Sequence, residues 1–143
     1  MPMPEGEIGN SKKLLVIVDG HAVIHRAFHA LPPLTTSKGV MINAVYGFTS
    51  MLLRVVEDLH PSHLAVVFDT PKPTFRNKLS KDYQATRPPT DKDMIPQFDL
   101  VHKVVDEMGI SHFEKDGYEA DDVIGTIVNN VKCQMSNVKC LTA

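Results

Sequence analysis

The chain alternates short, wholly apolar runs with longer segments that carry an apolar stripe at helical spacing. Leu14-Leu15-Val16-Ile17-Val18 contains no polar residue, is rich in β-branched side chains, and ends at Asp19-Gly20. Such a run predicts a strand covered on both faces, and it is far too short to span a membrane. Leu64-Ala65-Val66-Val67-Phe68 repeats the pattern and again ends in an acid, Asp69. Ile110 to Glu114 predicts a weaker third strand, and Val138 to Ala143 begins a fourth. Between the runs, His21 to Leu31 predicts a helix stopped by Pro32-Pro33. Val45, Phe48, Thr49, Leu52, Leu53 and Val56 recur at helical spacing up to Leu59, before Pro61. Phe98, Val101, Val104, Val105 and Met108 mark a helix over 91–108, ended by Gly109. Val123, Ile124, Ile127, Val128 and Val131 mark another over 118–132.

Strands that alternate with helices imply an α/β fold with right-handed crossovers and a mainly parallel sheet. Ligands of such sheets bind beyond the carboxyl ends of the strands. Asp19 and Asp69 stand at two of those ends, and Glu119 follows the third strand after a short loop. The topology therefore predicts that these acids, spaced fifty residues apart, meet at one edge.

A length of 143 residues indicates one domain able to bury a core. Residues 1–12 are polar, lack the basic-then-apolar order of a secretion signal, and read as a mobile tail ahead of a domain starting at residue 13. Cys133 and Cys140 match neither a redox pair nor a zinc spacing, which points to a reducing, cytoplasmic setting. The net charge of −2 is uninformative, but its distribution is not. Residues 70–90 carry Lys72, Arg76, Lys78, Lys81 and Arg87 against Asp82, a net +4, and 112–122 carry a net −4. One region suits phosphates and the other suits cations.

Three carboxylates fall within Glu119-Ala120-Asp121-Asp122. Each acid taken alone has a bland explanation. Asp19 and Asp69 fit turn chemistry, and acids in a helix's first turn interact favourably with its dipole. The bland reading does not account for two strands that also end in Asp. Carboxylates without nearby His or Cys suit Mg²⁺ or Mn²⁺ rather than zinc. A pair of such ions ~3.5–4 Å apart can activate water and stabilise the leaving oxygen of a phosphodiester. In the basic stretch, Arg76, Tyr83 and Arg87 suit backbone phosphates and an unpaired base, while Lys78 and Lys81 read as solvated. His21, His25 and His29 at i, i+4 spacing read as a half-exposed helix face. Haloacid-dehalogenase phosphatases need a second Asp where His21 stands, and receiver domains need acids before the first strand's end, so both fit poorly.

Leu15-Val16-Ile17-Val18-Asp19-Gly20-His21, Arg26-Ala27-Phe28-His29-Ala30-Leu31, Leu34-Thr35-Thr36-Ser37, Ala44-Val45-Tyr46-Gly47-Phe48, Val67-Phe68-Asp69, Phe75-Arg76, Tyr83, Arg87-Pro88 and Gly117-Tyr118-Glu119-Ala120-Asp121-Asp122-Val123 occur in order. Together they closely resemble the N-terminal 5′-nuclease domain of bacterial DNA polymerase I, within the wider flap endonuclease family. The resemblance runs from about residue 13 to the end. It implies a Rossmann-like, PIN-like sheet and a structure-selective 5′→3′ exonuclease and flap endonuclease acting in replication and repair. It implies ligation of two Mg²⁺ or Mn²⁺ ions with Asp19, Asp69, Glu119, Asp121 and Asp122. It also implies substrate contacts by Arg76, Tyr83 and Arg87 in a helical arch, and by Arg26 and Thr36 near the reacting strand. The implied partners are DNA with 5′ flaps or single-stranded 5′ ends and RNA–DNA hybrids, bound by a monomer without membrane contact, associated with the nucleoid.

Two departures follow. Gln84 stands where the family usually has a Lys, and an amide supplies no charge to a phosphate. The strand over 138–143 should lead into an Asp-x-Asp pair, and this chain stops one residue short of it. The sequence thus reads as a nuclease domain incomplete at its C-terminal side, with weak cation binding and low or absent turnover when isolated. A non-catalytic nucleic-acid-binding module is the alternative of a different class.

Overall fold

The computed structural model describes residues 13–70, 72–82, 89–134 and 138–142. Along the chain lie β1 (Lys13–Asp19), α1 (Gly20–Ala30), α2 (Asn43–Leu59), β2 (His63–Val67), α3 (Phe75–Leu79), α4 (Ile95–Glu107), β3 (Ser111–Phe113), α5 (Ala120–Gln134) and β4 (Val138–Thr142). The strands form one parallel sheet in the order β3-β2-β1-β4. The chain steps outward from β1 to β2 to β3 and then returns past β1 to β4. The direction of winding reverses beside β1, at the kind of switch point where α/β sheets place their ligands.

The unbroken apolar character of β1 follows from burial on both faces. Val16 and Val18 face α1, α2 and α4 with Val66, Phe48, Leu52 and Val101. Ile17 faces α5 with Val67, Leu15, Val123 and Ile127. Because successive side chains alternate across a strand, β1 supplies both cores of a three-layer sandwich. The buried stripe of α2 keeps Phe48 and Leu52 of the predicted one but is rotated toward Ala44. Ala44, Phe48 and Leu52 are buried, whereas Leu53 and Val56 are exposed. α4 begins at Ile95 with Pro96 in its first turn, after a turn in which Asp91 Oδ1 accepts the Asp93 N–H.

Two close approaches set the helices against the sheet. A Cβ on Gly20 would lie 2.5 Å from Phe68 Cε1, and one on Gly47 would lie 2.7 Å from the Ala27 Cβ. The start of α1 and the α1–α2 contact both depend on the missing side chain. The N-cap of α2, Ile42, offers no side-chain cap; Asn43 Oδ1 accepts the Ala44 N–H at 2.9 Å, and Gln97 from α4 supplies a further acceptor. Its Oε1 accepts the Ala44 and Val45 N–H groups at 2.8 and 3.1 Å, and its Nε2 donates to Asn43 Oδ1 at 2.9 Å and to the Asp93 carbonyl at 3.0 Å. Among the described residues no helix is long and apolar enough to cross a membrane. The predicted tail over 1–12 lies outside the described residues.

Candidate active site

Asp19 is both the last residue of β1 and the N-cap of α1. Its backbone is extended, and its Oδ1 accepts the Ala22 N–H at 3.2 Å. Asp69 lies just beyond β2 and reaches across to α5, where its Oδ1 accepts the Ala120 N–H at 2.6 Å. Its own N–H donates to Nδ1 of His21 at 3.1 Å. At the start of α5, Asp122 Oδ2 accepts the Glu119 N–H at 3.0 Å, while the Asp122 N–H donates to the Glu119 carbonyl at 3.1 Å. The interaction of acids with helix N-termini is therefore realised here. Each cap described uses one carboxylate oxygen, and an ionised carboxylate carries two, with about four acceptor sites.

Asp19, Asp69, Glu119 and Asp121 line one open cleft of about 1130 Å³ at the carboxyl edge of the sheet. Burial pushes the Asp19 carboxyl above its ordinary pKa. The Ala22 hydrogen bond opposes this rise, and the charges of Asp69 and Asp121 add to it. The Asp19 anion is thus poorly solvated and faces other anions, the setting a hard divalent cation relieves. In chemistry these oxygen donors suit such an ion. Among the described residues no three acid, imidazole or thiol groups already stand in a chelating array.

Asp122 is placed differently from the other acids. Arg76 Nη1 and Nη2 donate to its two oxygens at 2.7 and 2.8 Å, and Nη1 lies 3.4 Å from Glu119 Oε2. The guanidinium holds the Asp122 carboxyl below its usual pKa, against partial desolvation. Arg76, predicted to meet substrate phosphate, here meets protein carboxylates. The rest of segment 72–79 is fastened to the same loop. The Phe75 N–H donates to the Gly117 carbonyl at 2.8 Å, the Phe75 and Tyr118 ring centroids are 5.7 Å apart, and Lys72 pairs with Asp116 at 2.8 Å. Gly117 makes the turn into this loop at φ +86°, a conformation costly for side-chain-bearing residues.

The other predicted contacts are spread out. Arg26 is exposed on α1. Thr36 is exposed in a turn, where its Oγ1 accepts the Val40 N–H at 3.2 Å. Lys78 and Lys81 are exposed, as predicted for solvated residues. Tyr83, Gln84 and Arg87 lie outside the described residues. The histidine face has more structure than its spacing foretold. His21, His25 and His29 all line the cleft, and the His21 ring stacks on Phe98 at 4.6 Å. Burial, with His25 and His102 nearby, pushes the His21 imidazole below its ordinary pKa despite the opposing charge of Asp69. The positioning role of His21 escaped sequence reading. Its place two residues after Asp19 was the available signal.

A doubly wound parallel sheet with carboxylates gathered at the ends of adjacent strands defines an α/β domain with an acidic carboxyl edge. Residues 14–143 match the family described as 5′-3′ exonuclease, N-terminal resolvase-like domain, and the chain belongs to that family. It is 41% identical over 128 residues to DNA polymerase I of Bacillus subtilis, covering 90% of this chain and 14% of that protein. It is 40% identical over 127 residues to the 5′-3′ exonuclease of Aquifex aeolicus, covering 89% of this chain and 44% of that one. The chain thus spans less than half the length of these relatives. The bacteriophage T5 flap endonuclease, solved as a complex with DNA and metal ions, shares the fold with a TM-score of 0.61 at 18% identity, over 91% of this chain and 48% of that one. The T5 5′-exonuclease with bound zinc gives 0.60 at 21% identity, over 91% and 49%.

Proposed function

We propose that residues 13–143 form the N-terminal part of a metal-dependent 5′→3′ exonuclease and flap endonuclease domain that hydrolyses phosphodiester bonds in DNA replication and repair. The observation that carries this reading is the meeting of Asp19, Asp69, Glu119 and Asp121 at one cleft, in a chain of this family. These carboxylates would hold Mg²⁺ or Mn²⁺, two ions in the intact domain, with Asp122 contributing once released from Arg76. The bound ions would supply an activated water and charge stabilisation at the leaving oxygen. Asp19 serves from the end of β1, and Asp69, two residues beyond β2, is held by its hydrogen bonds to His21 and Ala120. His21 holds the Asp69 backbone, and Asp69 in turn holds the start of α5.

The substrates of this reading are DNA with 5′ flaps or single-stranded 5′ ends and RNA–DNA hybrids, acted on by a monomer in the cytoplasm near the nucleoid. Arg26, Thr36, Tyr83 and Arg87, with Arg76 once it is released from Asp122, are its substrate-contacting residues. The test is cleavage of 5′-flap DNA by the full-length protein and its Asp121→Ala variant in Mg²⁺ and in EDTA. Loss of cleavage in the variant and in EDTA is expected. Undiminished cleavage by Asp121→Ala refutes the reading, and DNA binding without any cleavage by the full-length protein favours a non-catalytic binding module.

A further inference from the structure

Arg76 forms the tightest charge contact at the site, and it points inward. Both of its terminal nitrogens are committed to Asp122, at 2.7 and 2.8 Å, and Nη1 also approaches Glu119 at 3.4 Å. The side chains of Arg76, Asp122 and Glu119 are 32%, 22% and 20% exposed, so this is no loose surface pair. The guanidinium carbon sits 4.6 Å over the Phe75 ring, and Phe75 is itself fastened to Gly117 and Tyr118. Arg76 is thereby presented to the start of α5 by a short helix docked against the loop that carries the acids. A bidentate guanidinium–carboxylate pair adds a second charge-assisted hydrogen bond and a fixed geometry to the attraction of the charges.

We propose that Arg76 is a positioning residue that acts as the built-in counter-charge of Asp122 and Glu119, so that divalent cations and the guanidinium compete for these two carboxylates. The inference rests on the proposed function, since it requires cation binding at this edge. Asp122 does not line the cleft among the described residues, whereas its neighbours Glu119 and Asp121 do. Both Asp122 oxygens are taken by Arg76, while Lys72, Pro73, Thr74 and Asn77 of segment 72–79 line the cleft beside Glu119 and Asp121. Occupancy of the acidic edge is then linked to the attachment of that segment, the beginning of the basic stretch. A cation that draws Asp122 or Glu119 toward the cleft frees Arg76 for an incoming phosphate. Without a cation, the same charge stays spent on the protein.

The direction of the effect separates this role from a merely structural one. Loss of a structural clamp disorders the acids and weakens cation binding, whereas loss of a competing charge strengthens it. The measurement is the Kd for Mn²⁺, from electron paramagnetic resonance, of the wild-type chain and of Arg76→Gln, Arg76→Lys and Lys78→Gln. Arg76→Gln is expected to bind roughly ten- to twentyfold more tightly, the size of one unit charge removed from about 5 Å of a divalent ion in a well-solvated setting. Lys78→Gln should stay near the wild type, because it removes a charge from an exposed position of the same helix, and Arg76→Lys should fall between the wild type and Arg76→Gln, because it keeps the charge but loses the bidentate fork. Unchanged or weaker binding by a folded Arg76→Gln overturns the inference and leaves the proposed function standing. Absence of Mn²⁺ binding by the wild type overturns both. Should Arg76→Gln fail to fold, Mg²⁺ titration of the wild type decides. The Arg76 Nε–H resonance should shift with the same midpoint as cation binding, and a resonance that stays fixed at saturation refutes the competition.

Discussion

The carboxylate of Asp69 closes a helix start that lies 51 positions further along the chain, its Oδ1 accepting the Ala120 N–H at 2.6 Å. One side chain at a strand end thus joins β2 to α5 and brings the Glu119–Asp122 segment to the cleft. Structural and chemical demands fall on the same residue and can be separated by substitution. Asp69→Asn retains an acceptor for Ala120 but loses the charge, whereas Asp69→Ala loses both. Chemical denaturation should show Asp69→Ala destabilised by about 1 kcal/mol, the usual worth of a helix cap, and Asp69→Asn by less. Both should lose cation-induced stabilisation.

Asp19 supplies the opposite balance. It caps α1, but its charge is partly buried and opposed by Asp69 and Asp121. Asn is as good a cap as Asp and carries no charge. Asp19→Asn should therefore raise the stability of the cation-free protein by about 1 kcal/mol, a stability gain at a functional site. The same variant should show no rise in melting temperature on addition of Mg²⁺. A cation-free melting temperature below that of the wild type contradicts this account of the site's electrostatics.

The hydrogen bond from the Asp69 N–H to His21 Nδ1 fixes the ring's tautomer. Nδ1 accepts, so the neutral imidazole carries its hydrogen on Nε2. Long-range nitrogen–proton correlation spectra should show His21 in that form at neutral pH. A proton resident on Nδ1 is incompatible with the arrangement.

Gln97 tests how the fold holds the helix that flanks the site. Its side chain is fully buried and joins α4 to the start of α2 through Ala44, Val45 and Asn43. Gln97→Leu removes the side-chain acceptor of the Val45 N–H, whereas the Ala44 N–H keeps Asn43 Oδ1 at 2.9 Å, and one unsatisfied group costs about 1–3 kcal/mol. Urea denaturation should show a loss of about 1–3 kcal/mol on that basis.

The sequence disclosed the parts whose chemistry is local. The apolar runs 14–18 and 64–68 could only be doubly covered strands, and the acids at their ends had to share the sheet's carboxyl edge once the crossovers made the sheet parallel. The basic stretch and its partner loop were visible as opposite charges, but their contact was not. Arg76 and Asp122 are 46 positions apart, and no periodicity connects a five-residue helix to the first turn of α5. Gln97 was hidden for a related reason. A polar residue within a helical stripe gives no sign of the distant N-terminus that it caps. The start of α4 moved inward to Ile95 because an Asx turn at Asp91 satisfies the preceding backbone locally.

The central claim is that Asp19, Asp69, Glu119 and Asp121 act together as a cation site. It is tested most directly by counting Mn²⁺ ions bound to the wild-type chain and to Asp121→Ala. Asp121 is exposed, so its removal should leave the fold intact, as circular dichroism can verify. The account predicts saturable binding by the wild type and a loss of about tenfold or more in Asp121→Ala, in line with the removal of one anionic ligand or its support. Equal affinity in the two proteins, or no binding by the wild type, contradicts it.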